Sequence, residues 1–591
     1  MIALSLLGDG LLVMPLEGDM LTALYLHYKN LIAGHLDPQY GDLVSVDPPK
    51  EQSFGDFSSN IGMILSKAMG QEPMAIAGRL CDLLGNNADF EDLEVRKPGF
   101  INWRVPKPVL VRHFPALLDK DFGRLDMGRG RSVNVEYVSA NPTGPIHAGH
   151  ARGAVSGDAL ARLLAYVGYR VTKEFYINDA GRQVEILAHS LYQRYLGIFD
   201  RGDGELPNWA YPGDYLIETA GRIAELQGDK FLDRDESEWL EFFKEFAVAD
   251  IMKTIREDLA LLDVHHDVFS SELALIADGA VDDVMELLKS KNLVYRGVLA
   301  RPKGMDSEEW EEREQLLFRS TSFGDDVDRP LQKSDGSWTY FASDLAYHMD
   351  KIKRNFDELI DFWGADHGGY VKRMQAGVSA ISDGQTKLEV KIVQLVRLLE
   401  DGREVKMSKR AGNFITAREI INRVGKDAVR FIMLTRRDDA SLDFDFRRII
   451  EKNRDNPVFY VQYAYARIHS VLKLFHQIFD GVGEPNVGEV DLNLLEMDGD
   501  MMLVKIIADW PRQVMMAAKN REPHRIVFFL IDLATAFHFL WNRGKESSQL
   551  RFILQDNLPR TKARILLLTA MRNVMESAFC IIGITPVEEL R

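Results

Sequence analysis

The chain has 591 residues, of which 46% are hydrophobic and 27% charged, enough for three or four globular domains and unlike a disordered or fibrous composition. A net charge of −17 excludes a protein that coats nucleic acid over its whole surface. Two cysteines, Cys81 and Cys580, exclude a thiolate metal cluster and a disulfide framework and suit a reducing cytoplasm, and no apolar run is read as long enough to cross a membrane.

The first fifteen residues are apolar but lack a basic lead, so they make a poor signal peptide, and Met14 or Met20 are alternative starts. Residues 20–112 read as a small separate domain. Helical spacing occupies 61–70 and 74–84, and Pro98-Gly99 precedes a strand-like run, Phe100 to Val105. A connector, 114–130, ends in a Gly-Arg-Gly turn. Residues 133–138 then alternate as a strand, Asn141-Pro142-Thr143-Gly144-Pro145 breaks it, and 149–166 follow as an amphipathic helix. This strand–turn–helix entry is how nucleotide sites begin in parallel α/β sheets.

Residues 186–300 read as a mostly helical, acidic insertion between two halves of the sheet, 125–185 and 301–450. Strand candidates recur at 359–363 and 390–396. From 451 to the end the pattern is helical almost throughout. Residues 501–591 hold 13 Lys and Arg against 8 Asp and Glu, a net of +5 that leaves −22 for the rest. A basic end on an acidic body suits a local anionic partner, and a solvated helical face explains it equally well.

Two motifs carry chemistry. His147-Ala148-Gly149-His150 puts a histidine pair at a helix start. There both rings can meet one phosphate, Gly149 lets a flat base or sugar approach the backbone, and the helix N-terminus adds free N–H groups. A metal pair or two surface histidines are the alternatives, and a third metal ligand of suitable spacing is not evident. Lys406-Met407-Ser408-Lys409, in a run bounded by Gly402 and Gly412, offers lysines to the charge that develops on a leaving pyrophosphate. By itself such a run is more often a solvated basic turn. A Gly-x4-Gly-Lys-Ser/Thr loop is absent, as is a Gly-x-Gly-x-x-Gly after a strand.

The stretch Val135-Glu136-Tyr137-Val138-Ser139-Ala140-Asn141-Pro142-Thr143-Gly144-Pro145-Ile146-His147-Ala148-Gly149-His150 resembles class I aminoacyl-tRNA synthetases, specifically the bacterial arginyl-tRNA synthetases. So do Val405 to Asn413, Ser334-Asp335-Gly336, Thr339 to Asp344, Gly364-Ala365-Asp366-His367 and Asp455 to Tyr463. The resemblance implies a Rossmann-like parallel-sheet α/β catalytic core, an N-terminal α+β domain that touches the outer corner of tRNA, and an all-α C-terminal helical bundle that binds the anticodon. It implies activation of L-arginine by ATP, with Mg²⁺ accompanying the nucleotide, and transfer to the terminal adenosine of tRNA(Arg), with tRNA bound before activation.

By the same resemblance, His147, His150, Lys406 and Lys409 are catalytic. ATP is held by His147, Gly149, His150 and the 406–409 motif with Met407 and Ser408. Glu136, Ser139, Asn141 and His150 lie near the amino and carboxyl groups of arginine, and Tyr340 and Asp344 bind its guanidinium. Some relatives place a glutamine in the pocket near 363–367; that position is Gly364 here, so either Asp366 assists instead or the contact is absent. Phe100 and Asn102 contact a tRNA base, or are simply buried strand residues. Tyr460, Tyr463 and Trp541 read first as core. A permanently charged guanidinium with five donors demands carboxylates, and bidentate pairing rejects lysine, so no editing domain is expected. No structural zinc and a monomer complete the expectation. An adenylate-forming nucleotidyltransferase without tRNA and a catalytically silent tRNA-binding relative are the competing readings.

Overall fold

The computed structural model describes residues 20–201, 206–299, 314–333, 335–405, 415–496 and 499–589. The 406–409 lysine motif, Ser334 and the alternative start Met14 lie outside them.

The N-terminal region is built from α1 (Met20–Ala33), β1 (Phe57–Ser59), α2 (Ile61–Met69), α3 (Pro73–Leu84), β2 (Glu91–Arg96), β3 (Phe100–Arg104) and α4 (Lys107–His113). The strands pair antiparallel in the order β1-β3-β2. Fully buried Tyr28 and Trp103 meet at 5.2 Å between ring centroids and, with Phe57 and Phe90, form an aromatic core.

The central unit alternates strand and helix: β4 (Ser132–Glu136), α5 (Ala148–Tyr166), β5 (Arg170–Ile177), α6 (Arg182–Ile198), α7 (Tyr215–Gln227), α8 (Glu236–Leu261), β6 (Val268–Ser271), α9 (Glu272–Ala277) and α10 (Ala280–Ser290). An antiparallel set, β7 (Val294–Gly297), β8 (Gln315–Phe318) and β9 (Arg329–Pro330), precedes α11 (Tyr340–Lys353), β10 (Glu358–Gly364), α12 (Val371–Ile381) and β11 (Lys387–Val393). The main sheet is parallel, in the order β11-β10-β4-β5-β6. From β4 the chain winds outward to β5 and β6, then returns to lay β10 on the other side of β4. The order therefore reverses between β4 and β10, and the crevice beyond their carboxyl ends is where such sheets bind ligands.

The chain continues through β12 (Val396–Glu400), β13 (Arg403–Glu404), α13 (Ala417–Val424), α14 (Lys426–Met433), β14 (Leu442–Asp445) and α15 (Phe446–Ile450), with β12 parallel to β14. It ends in α16 (Pro457–Ile478), α17 (Asp500–Ala508), α18 (Trp510–Asn520), α19 (His524–Glu546) and α20 (Leu558–Ile582).

Four expectations need correction. Helix α5 is buried on all faces rather than amphipathic, because β4, β5, α13, α14, α18 and α20 surround it. Its Gly and Ala residues permit this: a Cβ on Gly157 would lie 2.3 Å from the Tyr137 ring. The stretch 186–300 is not wholly outside the sheet, since it supplies β6. That strand has four half-buried residues, too few and too mixed to show an alternation. The strand candidate at 390–396 splits, β11 ending at Val393 and β12 opening a different sheet at Val396. Finally, α19 and α20 are long and apolar enough to span a membrane by length and composition, although both are mostly buried as the core of the helical bundle.

Buried arginines tie the units to α5. Arg152 donates to the carbonyls of Gln394 and Arg437 at 2.9 and 2.8 Å. Arg430 of α14, fully buried, donates to Asp158 of α5 at 2.7 Å and to the carbonyls of Leu262 and Ile582 at 2.8 Å each. One guanidinium thus joins α5, the end of α8 and the last helix.

Candidate active site

The histidine motif caps α5. His147 is the N-cap residue, and its Nδ1 accepts the Gly149 N–H at 3.2 Å, while His150 Nδ1 accepts the His147 N–H at 3.3 Å. An imidazole that accepts at Nδ1 carries its proton at Nε2 when neutral. Both rings therefore turn Nε2–H donors away from the backbone. They stack at 3.9 Å with 18° between planes, so the two donors lie side by side at a helix N-terminus. The structure adds a second reason for Gly149: its missing Cβ would sit 3.2 Å from the His147 ring, so a side chain there would crowd the cap.

The lysine motif itself falls outside the described residues, but its far flank lands on the histidines. Thr416 forms an antiparallel bridge with His147, and the Ala417 N–H donates to the Ile146 carbonyl at 2.8 Å. Thr416 and Glu419 then close a capping box on α13.

Beside this lies the carboxyl end of β4. The chain turns sharply there: Val138 and Ser139 have φ of 73° and 37°. A β-branched residue in the left-handed region is strained, and such strain is found where surrounding structure imposes it. Its result is visible in Ser139, whose hydroxyl donates to Glu136 at 2.8 Å and accepts the Tyr176 N–H at 3.1 Å. Asn141 donates to Gln183 at 2.9 Å on the exposed side of the turn.

Beneath Glu136 runs a chain of buried charges that motif reading missed. Lys351 of α11 reaches Glu136 and, at 2.9 Å, Asp361 of β10. Asp361 accepts from His348 Nε2–H at 3.0 Å, and His348 Nδ1–H donates to the Asp344 carbonyl at 2.8 Å. Glu174 of β5 accepts from Ser270, Tyr347 and Arg354 at 2.6, 3.1 and 2.8 Å. Burial opposes every charge here, and neighbours decide the outcome. Lys351 and His348 outweigh burial at Asp361 and hold it at about 2, whereas burial prevails at Glu136 and raises its pKa. Burial likewise works against the Lys351 ammonium, but Asp361 and Glu136 keep its pKa above the ordinary value. A sequence signal existed: Tyr340, Asp344, Tyr347 and Lys351 recur at helical spacing on one face.

Two acids influence each other here: Asp344, half-buried on α11, and Glu272 at the start of α9, 5% exposed. Burial raises the pKa of Asp344 although Tyr370 donates to it at 2.5 Å. Burial, then Asp344 and Asp179, push Glu272 up to about 7. Acids this close to one another describe a pocket for a cation. Glu272 carried no motif signal; as an acidic residue after the Ser271 cap it looks like an ordinary helix start.

The other expected site residues scatter. Tyr340 is 63% exposed at the mouth, with its ring 5.6 Å from Lys333 Nζ. Asp366 is exposed and lies 3.5 Å from His367. It fills the space over Gly364, where a Cβ would come within 2.5 Å of its carboxylate. Phe100 is half-buried and Asn102 is 3% exposed inside β3, which leaves Asn102 little surface for an external base. Tyr460, Tyr463 and Trp541 are half-buried. The Arg467 guanidinium sits 3.9 Å from the Tyr463 ring and 4.6 Å from Trp541.

A parallel sheet whose strand order reverses beside a histidine-capped helix, with Thr416 and Ala417 bridged to that cap, is the frame of a class I aminoacyl-tRNA synthetase. Comparisons agree: residues 114–197 match the class I (R) tRNA synthetase catalytic domain, 27–105 the arginyl-tRNA synthetase N-terminal domain, and 461–590 the DALR anticodon-binding domain. The arginine–tRNA ligase of Roseobacter denitrificans is 49% identical over 550 residues, covering 93% of this chain and 94% of the relative. That of Rhodospirillum rubrum is 50% identical over 560 residues, covering 93% and 95%. The Thermus thermophilus arginyl-tRNA synthetase structure shares the fold at TM-score 0.71 and 21% identity, over 96% of this chain and all of that one. The chain belongs to the arginyl-tRNA synthetase family.

Proposed function

We propose that this protein charges tRNA(Arg) with L-arginine in the cytoplasm, acting as a monomer and requiring bound tRNA before it activates the amino acid. In the first step a carboxylate oxygen of arginine attacks the α-phosphorus of ATP. The bond to the bridging oxygen breaks, and pyrophosphate leaves with the electron pair. The Nε2–H groups of His147 and His150 receive negative charge on the phosphate oxygens, in a direction already set by their Nδ1 contacts, so no reorientation is needed as charge develops. Lys406 and Lys409 neutralise the departing pyrophosphate, while Met407, Ser408 and Gly149 border the nucleotide. In the second step a hydroxyl of the terminal adenosine attacks the arginyl carbonyl and AMP leaves.

Glu136, Ser139 and Asn141 hold the amino and carboxyl groups of arginine. Asp344 and Glu272 take its guanidinium, with Tyr340 at the entrance and Asp366 on the rim. Phe100 faces the corner of the tRNA. Mg²⁺ supplies charge neutralisation on the phosphates when it arrives with ATP. Among the described residues no cluster of His, Cys, Asp and Glu is suited to hold a metal.

The observation that carries this reading is the backbone bridge between His147 and Thr416, which ties the histidine motif to the stretch just beyond the lysine motif, remote in sequence. Pyrophosphate exchange tests it. Arginine should drive exchange only when tRNA is present; exchange driven by another amino acid, or none at all, overturns it.

A further inference from the structure

Tyr370 opens the helical segment after β10, and its hydroxyl donates to Asp344 Oδ2 at 2.5 Å. The ring is wedged between Trp363 and Phe341, with centroids 5.9 and 6.3 Å away. On its other side the Arg373 guanidinium lies 4.8 Å over the ring. Arg373 Nε is buried without a hydrogen-bond partner, and burial lowers the pKa of this arginine. The pocket's acid is thus separated from a protein guanidinium, the chemical group of its own substrate, by the thickness of one aromatic ring.

We propose that Tyr370 is a specificity-determining positioning residue: its one hydrogen bond to Oδ2 fixes the plane of the Asp344 carboxylate, leaves Oδ1 and the second lone pair of Oδ2 to the substrate guanidinium, and its ring keeps Arg373 from occupying the pocket. This rests on the assignment of Asp344 to the guanidinium. A carboxylate free to rotate would present its two oxygens in many orientations, and bidentate pairing with a planar guanidinium tolerates few of them. A hydroxyl donating to one oxygen fixes the plane. Because Tyr370 is packed by Trp363 and Phe341, the donor itself is held in place. The phenol is also kept as a donor, since burial and Asp344 raise its pKa.

The test compares Tyr370→Phe, Asp344→Asn and the parent enzyme in tRNA-dependent pyrophosphate exchange, with KM for arginine and for ATP measured separately and thermal unfolding run in parallel. Tyr370→Phe keeps the ring and removes the pin. Arginine KM should rise about tenfold, the usual scale for losing a hydrogen bond to a charged group, with ATP KM and Tm unchanged. Tyr370→Leu should raise arginine KM further, and Tyr370→Leu combined with Arg373→Met should recover part of that loss. If Asp344→Asn raises arginine KM but Tyr370→Phe leaves it within about twofold, the role of Tyr370 is overturned while Asp344 keeps its place. If Asp344→Asn also leaves arginine KM unchanged, the guanidinium assignment falls and the proposal with it. Equal rises in both KM values for Tyr370→Phe would mark a merely structural residue.

Discussion

The interior beneath the cleft and the interior of the C-terminal helices are both tightly packed, yet they treat charge differently. Under the cleft, Glu136, Glu174, Asp361, Lys351, His348 and Arg354 form one connected network reaching the ligand pocket. In the helical bundle buried charges occur as separate pins. Arg564 of α20 holds Asp500 at 3.1 Å and the carbonyls of Gln549 and Arg551 at 3.1 and 2.6 Å, with Glu496 the next carboxylate at 3.9 Å. A buried pin that joins helices can be satisfied locally. A network that must receive a charged substrate is left with an unbalanced acid at its end. Asp344 and Glu272 are that end, and their upward shifts record it.

The sharpest way to break this comparison is to cut one member of each set. Lys351→Met strands two buried carboxylates and should destabilise by about 3–5 kcal/mol. It should also abolish arginine activation at temperatures where the variant is folded. Arg564→Met should cost a similar amount in urea unfolding while leaving the KM values for arginine and ATP unchanged. If both variants alter arginine KM alike, the division between network and pins is wrong. Next in size, Lys409→Ala should slow adenylate formation about 100-fold in single-turnover measurements, with tRNA affinity retained. A large loss of tRNA binding would move that lysine to another task.

A smaller effect follows from Glu272. With a folded-state value near 7, raised from its ordinary range, it holds a proton below that pH and must lose it to solvent before its carboxylate can pair with a guanidinium. Arginine KM should therefore rise about tenfold per pH unit below 7 and level off above it. The same shift favours folding of the ligand-free protein at acid pH and is lost as pH climbs through 7. Glu272→Gln should flatten the KM profile. Smallest, Arg467→Ala should weaken tRNA binding several-fold, on the scale of one stacked cation or base, without touching pyrophosphate exchange at saturating tRNA.

The local features of the fold were legible in the sequence and the communal ones were not. A strand broken by Asn141-Pro142-Thr143-Gly144-Pro145 and followed by a histidine-capped helix is a signal carried by neighbours in the chain, and β4 and α5 appear there. Whether that helix faces solvent depends on residues from 417 to 582, which local periodicity cannot register. Edge strand β6 failed for the opposite reason: four half-buried residues do not repeat often enough to make a pattern. Within the site, motif residues were readable, whereas Lys351, Asp361 and Glu174 were hidden because charged side chains are ordinarily assigned to the surface. The Tyr340-to-Lys351 stripe was the available clue.

Helix α5 carries the histidine cap at one end, while α20 lies along its flank. A truncated chain ending near residue 455 would therefore lay bare buried alanine, valine and leucine of α5 and take away the Ile582 carbonyl that holds Arg430 on Asp158. The catalytic half is not a detachable module: exchanging the tRNA-reading helices for others would require redesigning the spine on which the adenylate is made.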